Sequence, residues 1–147
     1  QTRPPPLPRA KYITKCVEQD ADGNYLVQNC DSPEVHVNGV WYYTDGTTYA
    51  QTFAYLNNFH ALEAAKELGI DLTDSALLST EEYSILKTIL EQIDKYDPIK
   101  VGLSGQVKEF REETYYNSVG DDPKHRHVSQ LMALFPGDII NSSTMDI

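Results

Sequence analysis

Positive charge is what this sequence has least of. Lysine and arginine together number 12 against 22 aspartates and glutamates, a formal net charge of −10. A field of that sign repels phosphates and anionic lipid, which argues against nucleic acid or a membrane surface as partner. A neutral ligand such as a carbohydrate is compatible with it. No apolar run is long enough to cross a bilayer as a helix. No repeat of short period is present. The chain opens on Gln-Thr-Arg-Pro-Pro-Pro without a methionine or a signal peptide. It is therefore expected to be a processed or trimmed product, and the missing signal peptide says nothing about export.

Cysteine occurs twice among the 147 residues, at Cys16 and Cys30. The two flank the turn-rich stretch Asp20-Ala21-Asp22-Gly23-Asn24. A disulfide between them would close a loop of about 15 residues, worth about 3 kcal/mol in the chain-entropy account. It would also imply an oxidising compartment. The alternative is two buried free thiols. Asn141-Ser142-Ser143 is a glycosylation sequon, a feature of exposed loops in secreted eukaryotic proteins.

The length sets one domain as the starting expectation. Residues 1–6 are proline-rich and read as an extended boundary segment, with 7–147 as the folded part. Apolar positions Tyr12, Ile13, Cys16 and Val17 have helical spacing, which predicts a helix over 7–18 that stops at Asp22-Gly23. Residues 25–27 read as a short extended piece and 29–46 as a loop. A second helix should begin with Thr47 or Thr48 as N-cap and end at Gly69 in the C′ position. Its apolar residues, including Phe53, Leu56 and Phe59, cover more than one stripe, as in a helix packed on several sides. A third helix carries Leu86, Ile89, Leu90 and Ile93 on one face. A capping box from Ser79 to Glu82 should start it, with Pro98 just beyond its end. A short helical piece is expected near 107–113, and a last helix from about His125 to just before Pro136. The pattern is all-α with long inter-helix loops, which are often functional. Four or five helices cannot bury the second one so fully, so the chain should belong to something larger or be held by partner chains.

Four blocks in order, opening with Asp22-Gly23 and Ser32-Pro33-Glu34 and closing with His125-Arg126-His127, resemble glycoside hydrolase family 95, the α-L-fucosidases. Asp22-Gly23-Asn24-Tyr25-Leu26-Val27 with Ser32-Pro33-Glu34 is similar to the family's Asp-Gly-x-Leu-Val and Ser-Pro-Glu segment. Ala64-Ala65-Lys66-Glu67-Leu68-Gly69 matches a helix end. Pro98-Ile99 followed by Gly105-Gln106-Val107-Lys108-Glu109-Phe110 resembles the Pro-Ile and Gly-Gln-x-x-Glu-Trp block. His125-Arg126-His127-Val128-Ser129-Gln130-Leu131-Met132-Ala133-Leu134-Phe135-Pro136-Gly137 resembles the His-Arg-His-x-Ser-His-Leu-x-x-Leu-Tyr-Pro-Gly signature. Together the blocks cover residues 7–140.

The resemblance implies part of an (α/α)6 barrel, with an active site in a cleft lined by inter-helix loops. It implies hydrolysis of α-L-fucosides, or α-L-galactosides in some members, with inversion and without a cofactor. Glu34 falls on the general acid. A glycosidic oxygen leaves poorly unless protonated as the bond breaks, and a carboxylic acid with a raised pKa in a dry cleft supplies that proton. The opposing base of the family is an asparagine polarised by an aspartate. The asparagine lies upstream of these blocks and the aspartate downstream, so the chain alone is expected to be inactive. With inner-helix faces such as Phe53, Leu56 and Phe59 exposed, it is also expected to be poorly folded. Gln106, Glu109, Arg126 and His127 would contact sugar hydroxyls, and Trp41 could cover an apolar sugar face. The implied partners are a fucosylated glycan and the remainder of the parent hydrolase, in an extracellular setting.

Three positions depart from the pattern: Gln130 for His, Phe110 for Trp and Phe135 for Tyr. The loop over 115–122 is longer than typical. These leave room for altered sugar specificity, or for a non-catalytic carbohydrate-binding or structural module derived from the fold. Plainer roles also exist. Glu34 could cap the turn after Pro33, Arg126 could pair with Asp121 or Glu109, and Trp41 could be packing. His125 and His127 with Glu109 could bind a metal, although no metal is expected. His60 reads as a core or groove histidine.

Overall fold

A computed structural model of the chain describes residues 8–116, 118–120 and 127–144. The described residues fall into two compact units. One is built from 8–25 and 54–96, the other from 26–53 and 97–144. The proline-rich segment 1–6 lies outside the described residues.

The first unit opens with α1 (Pro8–Ile13). The expected helix over 7–18 does not continue. Thr14 donates its N–H to the Ala10 carbonyl and its hydroxyl to Lys11, and the chain turns into β1 (Val17–Gln19). Asp20 explains why. Its Oδ1 accepts the N–H of Asp22 at 3.0 Å and of Asn24 at 2.9 Å, folding 20–24 into a tight turn with Gly23 at φ +85°. Such local side-chain bonding competes with helix, and a helix this short has little intrinsic stability to oppose it. The reversal leads into β2 (Tyr25–Val27), the partner of β1 in a two-stranded sheet.

Helix α2 (Thr48–Glu67) is long, and residues from Ala54 onward belong to the first unit. Its C-terminus closes as the sequence implies. Gly69, at φ +75°, donates to Lys66, and Ile70 donates to Ala65, the paired bonds of a Schellman motif. α3 (Ser75–Leu78) follows, capped by Asp74, whose carboxylate accepts the N–H groups of Ala76 and Leu77 at 3.0 Å.

α4 (Ser84–Gln92) starts later than the capping box predicts. Ser79 is spent backwards, its hydroxyl and N–H both bonding the Ser75 carbonyl at the end of α3. α4 begins five residues on, after Tyr83, without a side-chain cap. The expected face survives. Leu86 and Ile89 are fully buried, and they join Ile93, Leu62, Ala65, Leu78 and Ala10 in the core of this unit. Burying each large aliphatic side chain contributes about 1.5–3 kcal/mol. Gln92 ties the core's edge to the Thr14 carbonyl, and Asn58 donates to the Tyr96 hydroxyl at 2.9 Å. His60, expected in a core or groove, is exposed beside Phe59.

The second unit is irregular and held mostly by turns. β3 (His36–Val37) and β4 (Val40–Trp41) pair antiparallel in the register His36 to Trp41 and Val37 to Val40. Asn38 and Gly39 between them have φ +53° and +72°, the left-handed pair of a two-residue hairpin turn. Residues 107–113 begin with a bridge from Val107 to Val101 and continue as bends and a turn, and 129–133 form a short 3-10 helix, where helices were expected. The described chain is about 36% helical and 12% strand, so the all-α expectation is corrected to a mixed α and β structure. Both sheets arise where a side-chain or glycine turn gives short extended segments a partner. No helix among the described residues is long and apolar enough to cross a membrane.

Candidate functional site

The second unit carries the Ser-Pro-Glu segment. Val35 donates its N–H to the Ser32 carbonyl at 3.2 Å, closing a turn around Pro33 and Glu34. Within it Glu34 has φ +61°. A left-handed backbone is uncommon for a glutamate and marks a position held by its surroundings. The holding groups are identifiable. Thr47 donates its hydroxyl to the Asp31 carbonyl at 3.0 Å and caps α2 by accepting the Ala50 N–H. Ser32, fully buried, donates its hydroxyl to Glu109 Oε1 at 2.5 Å. Glu109 is fixed in turn. Its N–H donates to Glu113 Oε2 at 2.7 Å, and its carbonyl accepts the Thr48 N–H at 3.0 Å. The Thr48 hydroxyl adds a bond to the Lys108 carbonyl. The first turn of α2 thus anchors both the segment before Glu34 and the segment at Glu109.

The Glu34 carboxylate lies 3.2 Å from His127 Nε2. Both side chains are partly open, at 45% and 38% exposure, so solvent reaches the carboxylate. At that distance the imidazole can donate a hydrogen bond to an ionised Glu34. His36 Nδ1 lies 3.1 Å from the Glu34 carbonyl, and the Trp41 ring packs on the His36 ring at 4.3 Å with a 39° tilt. Trp41 stays 48% exposed, so the hairpin presents an aromatic surface on the strand next to the turn.

Asp97 forms a second polar centre in the same unit. Its carboxylate is 3% exposed and meets Lys100 at 3.2 Å and Arg111 at 3.0 Å. Gln51 spans from the Val27 N–H, at 2.7 Å, to the Asp97 carbonyl. Gly46, at φ +70°, lies so close to Leu26 that an added Cβ would approach Leu26 Cδ2 to 2.5 Å. This centre fastens the 97–111 segment in place.

Of the expected site residues, Glu34, His127 and Glu109 come together around one turn. Gln106 accepts the Ser104 hydroxyl at 2.7 Å and folds against Gly102, and no hydrogen bond described for it reaches Glu34. Arg126 and His125 lie outside the described residues. Among the described residues no group of three or more His, Cys, Asp and Glu side chains could hold a metal ion. Gln130 is buried, and its Oε1 has no hydrogen-bond partner among the described residues. Phe110 is buried edge-on to Tyr42 at 5.2 Å. Cys16 and Cys30 are both free thiols, so the expected disulfide is not part of this structure. Cys30 instead accepts the Thr47 N–H at 3.4 Å beside the start of α2. Asn141 accepts the Ser143 N–H in an exposed turn. Sequence reasoning missed the clamp through Glu113 and Thr48, and it missed Asp97. None of these carries a local signal. The β3–β4 hairpin did have one, in Val37-Asn38-Gly39-Val40.

The model of the glycosyl hydrolase family 95 catalytic domain matches residues 8–147. A protein described as probable alpha-fucosidase A, from Aspergillus oryzae (strain ATCC 42149 / RIB 40), is 30% identical over 121 residues. That alignment covers 82% of this chain and 15% of the Aspergillus protein.

Proposed function

The chain belongs to glycosyl hydrolase family 95 through its catalytic domain, and from that premise we propose that it carries the proton donor of an inverting α-L-fucosidase-like hydrolase. Glu34 is that donor. The observation that carries the reading is a glutamate held in left-handed backbone, its carboxylate partly open and 3.2 Å from His127. A position that accepts backbone strain to aim one carboxylate fits a group whose direction matters.

Protonated Glu34 gives its proton to the glycosidic oxygen as the bond to the anomeric carbon breaks. Water attacks that carbon from the opposite face. The groups that activate the water, an asparagine and an aspartate by family resemblance, come from outside this chain. Inversion requires room for the water between acid and base, and a base supplied by a different part of the protein suits that geometry. His127 contacts both Glu34 and the sugar, with Arg126 and Gln106 as further hydroxyl partners. Trp41 offers its face to an apolar sugar surface. The substrate is a fucosylated glycan and the setting extracellular, supported by the exposed sequon at Asn141.

The test is Glu34→Gln in the full-length protein. Removing a general acid should cost about 10²–10⁴-fold in kcat on a sugar-linked fucoside, and NMR of the first-formed product should show the inverted anomer. Activity within a few-fold of the native enzyme would sink the assignment.

A further inference from the structure

The family resemblance puts Glu109 among the sugar contacts, but its hydrogen bonds point to a different task. We infer that Glu109 is a positioning residue for Glu34, acting through Ser32. The inference rests on Glu34 being the proton donor.

Ser32 is fully buried, and its hydroxyl donates to Glu109 Oε1 at 2.5 Å. A hydroxyl-to-carboxylate bond is among the stronger hydrogen bonds a protein makes. The same residue's carbonyl accepts the Val35 N–H and so closes the turn that contains Glu34. Glu109 therefore grips the residue that defines that turn. Glu109 is itself braced on both sides of its peptide, by the buried Glu113 carboxylate on its N–H and by Thr48 on its carbonyl. A left-handed glutamate persists only where neighbours over-determine it. Here the bonds from Thr47 to Asp31 and from Ser32 to Glu109 supply that constraint on the N-terminal side of the turn. With the clamp released, the 32–35 turn relaxes and the Glu34 carboxyl loses its aim. Substrate binding at groups outside the turn is unaffected.

The two roles have different kinetic signatures. A misaimed acid slows only reactions that need protonation of the leaving group, whereas a lost sugar contact raises KM for every substrate. The experiment compares Ser32→Ala, Glu109→Ala, the double variant, Glu109→Gln and Glu34→Gln in the full-length enzyme. The substrates are a 4-nitrophenyl fucoside, whose leaving group needs little protonation, and a sugar-linked fucoside, which needs it fully. For Ser32→Ala and Glu109→Ala, kcat should fall at least tenfold on the sugar-linked substrate and much less on the nitrophenyl one. KM should stay within about twofold, and the double variant should be no worse than the poorer single. Glu109→Gln keeps an acceptor for Ser32 and should recover most of the loss.

A raised KM with retained kcat for Glu109→Ala, or a native Ser32→Ala, would overturn the inference. Because Ser32→Ala removes one oxygen atom, it decides the question even if Glu109→Ala fails to fold. Glu34→Gln separates the two levels. If it shows no dependence on leaving group, the donor assignment falls and this inference with it. If it shows the dependence while Ser32→Ala and Glu109→Ala do not, only the positioning role is lost.

Discussion

Replacing Glu34 by alanine and by glycine should reverse the usual order of stability. Both substitutions remove the carboxylate and its contact with His127, a pair between half-exposed groups worth about 0–1 kcal/mol. That loss cancels in the comparison. What remains is the backbone at φ +61°. Left-handed geometry costs a residue with a Cβ roughly 1–2 kcal/mol, and glycine gives back about 0.5–1 kcal/mol through the extra freedom of its unfolded chain. The glycine variant should therefore hold the turn more firmly than the alanine variant by about 0.5–1 kcal/mol. At an ordinary position alanine would win by a similar margin. The readout is amide hydrogen exchange at Val35 and Tyr42. Val35 bonds to the Ser32 carbonyl, and Tyr42 to the Val35 carbonyl. The difference corresponds to a protection factor about two- to fivefold higher for Glu34→Gly. Equal or greater protection in Glu34→Ala would mean that the turn does not hold residue 34 left-handed, and the argument from strain would fail. Neither variant should hydrolyse a sugar-linked fucoside at an appreciable rate.

Two further outcomes follow from other parts of the molecule. Asp97→Asn leaves Lys100 and Arg111 facing a neutral amide in a nearly buried position and should destabilise the protein by about 1–3 kcal/mol. An unchanged urea midpoint would show that the two cations do not depend on Asp97. The Tyr96 phenol is pushed up to about 12, first by burial and slightly by Cys16, against the opposing Asn58 hydrogen bond. Its folded pKa thus exceeds the ordinary value of 10.0. The stability it contributes is complete below about pH 10 and is lost as pH rises through about 12. The phenolate absorbance difference between native protein and Tyr96→Phe should have its midpoint near 12, and a midpoint near 10 would refute the burial argument.

The parts of the fold that sequence made legible were those with both a periodic face and a chemical stop. α2 had Thr47 to cap it and Gly69 to end it, and both act as expected. The stripe of Leu86, Ile89 and Ile93 reached the core. Boundaries failed where one residue could serve two elements. Ser79 fits a capping box for the helix that follows, yet it closes α3 behind it. The helix expected over 7–18 ends at Ile13 because Asp20 offers the backbone a turn that outcompetes the five further helical residues. Residues 29–46 read as loop from their composition, although Asn38-Gly39 between valines is a recognisable hairpin turn. In the site, motif resemblance singled out Glu34 and His127, which the structure brings to 3.2 Å. It gave no account of how Glu34 is held. The Ser32–Glu109 bond joins residues 77 apart, and periodicity carries no information at that separation.

That separation also sets a timetable for biosynthesis. Ser32 leaves the ribosome long before Glu109 exists, and at roughly 5–20 residues per second the interval is on the order of 4–15 s. The Thr48 bond to Lys108 spans 60 residues and waits nearly as long. Throughout that interval the turn bearing Glu34 has the Thr47 bond to Asp31 but lacks the Ser32 bond to Glu109. Nascent chains arrested before residue 109 should be cut readily by protease between residues 26 and 44, and chains arrested well beyond it should resist. The young chain is thus open to chaperones and proteases at the segment that carries the proposed proton donor.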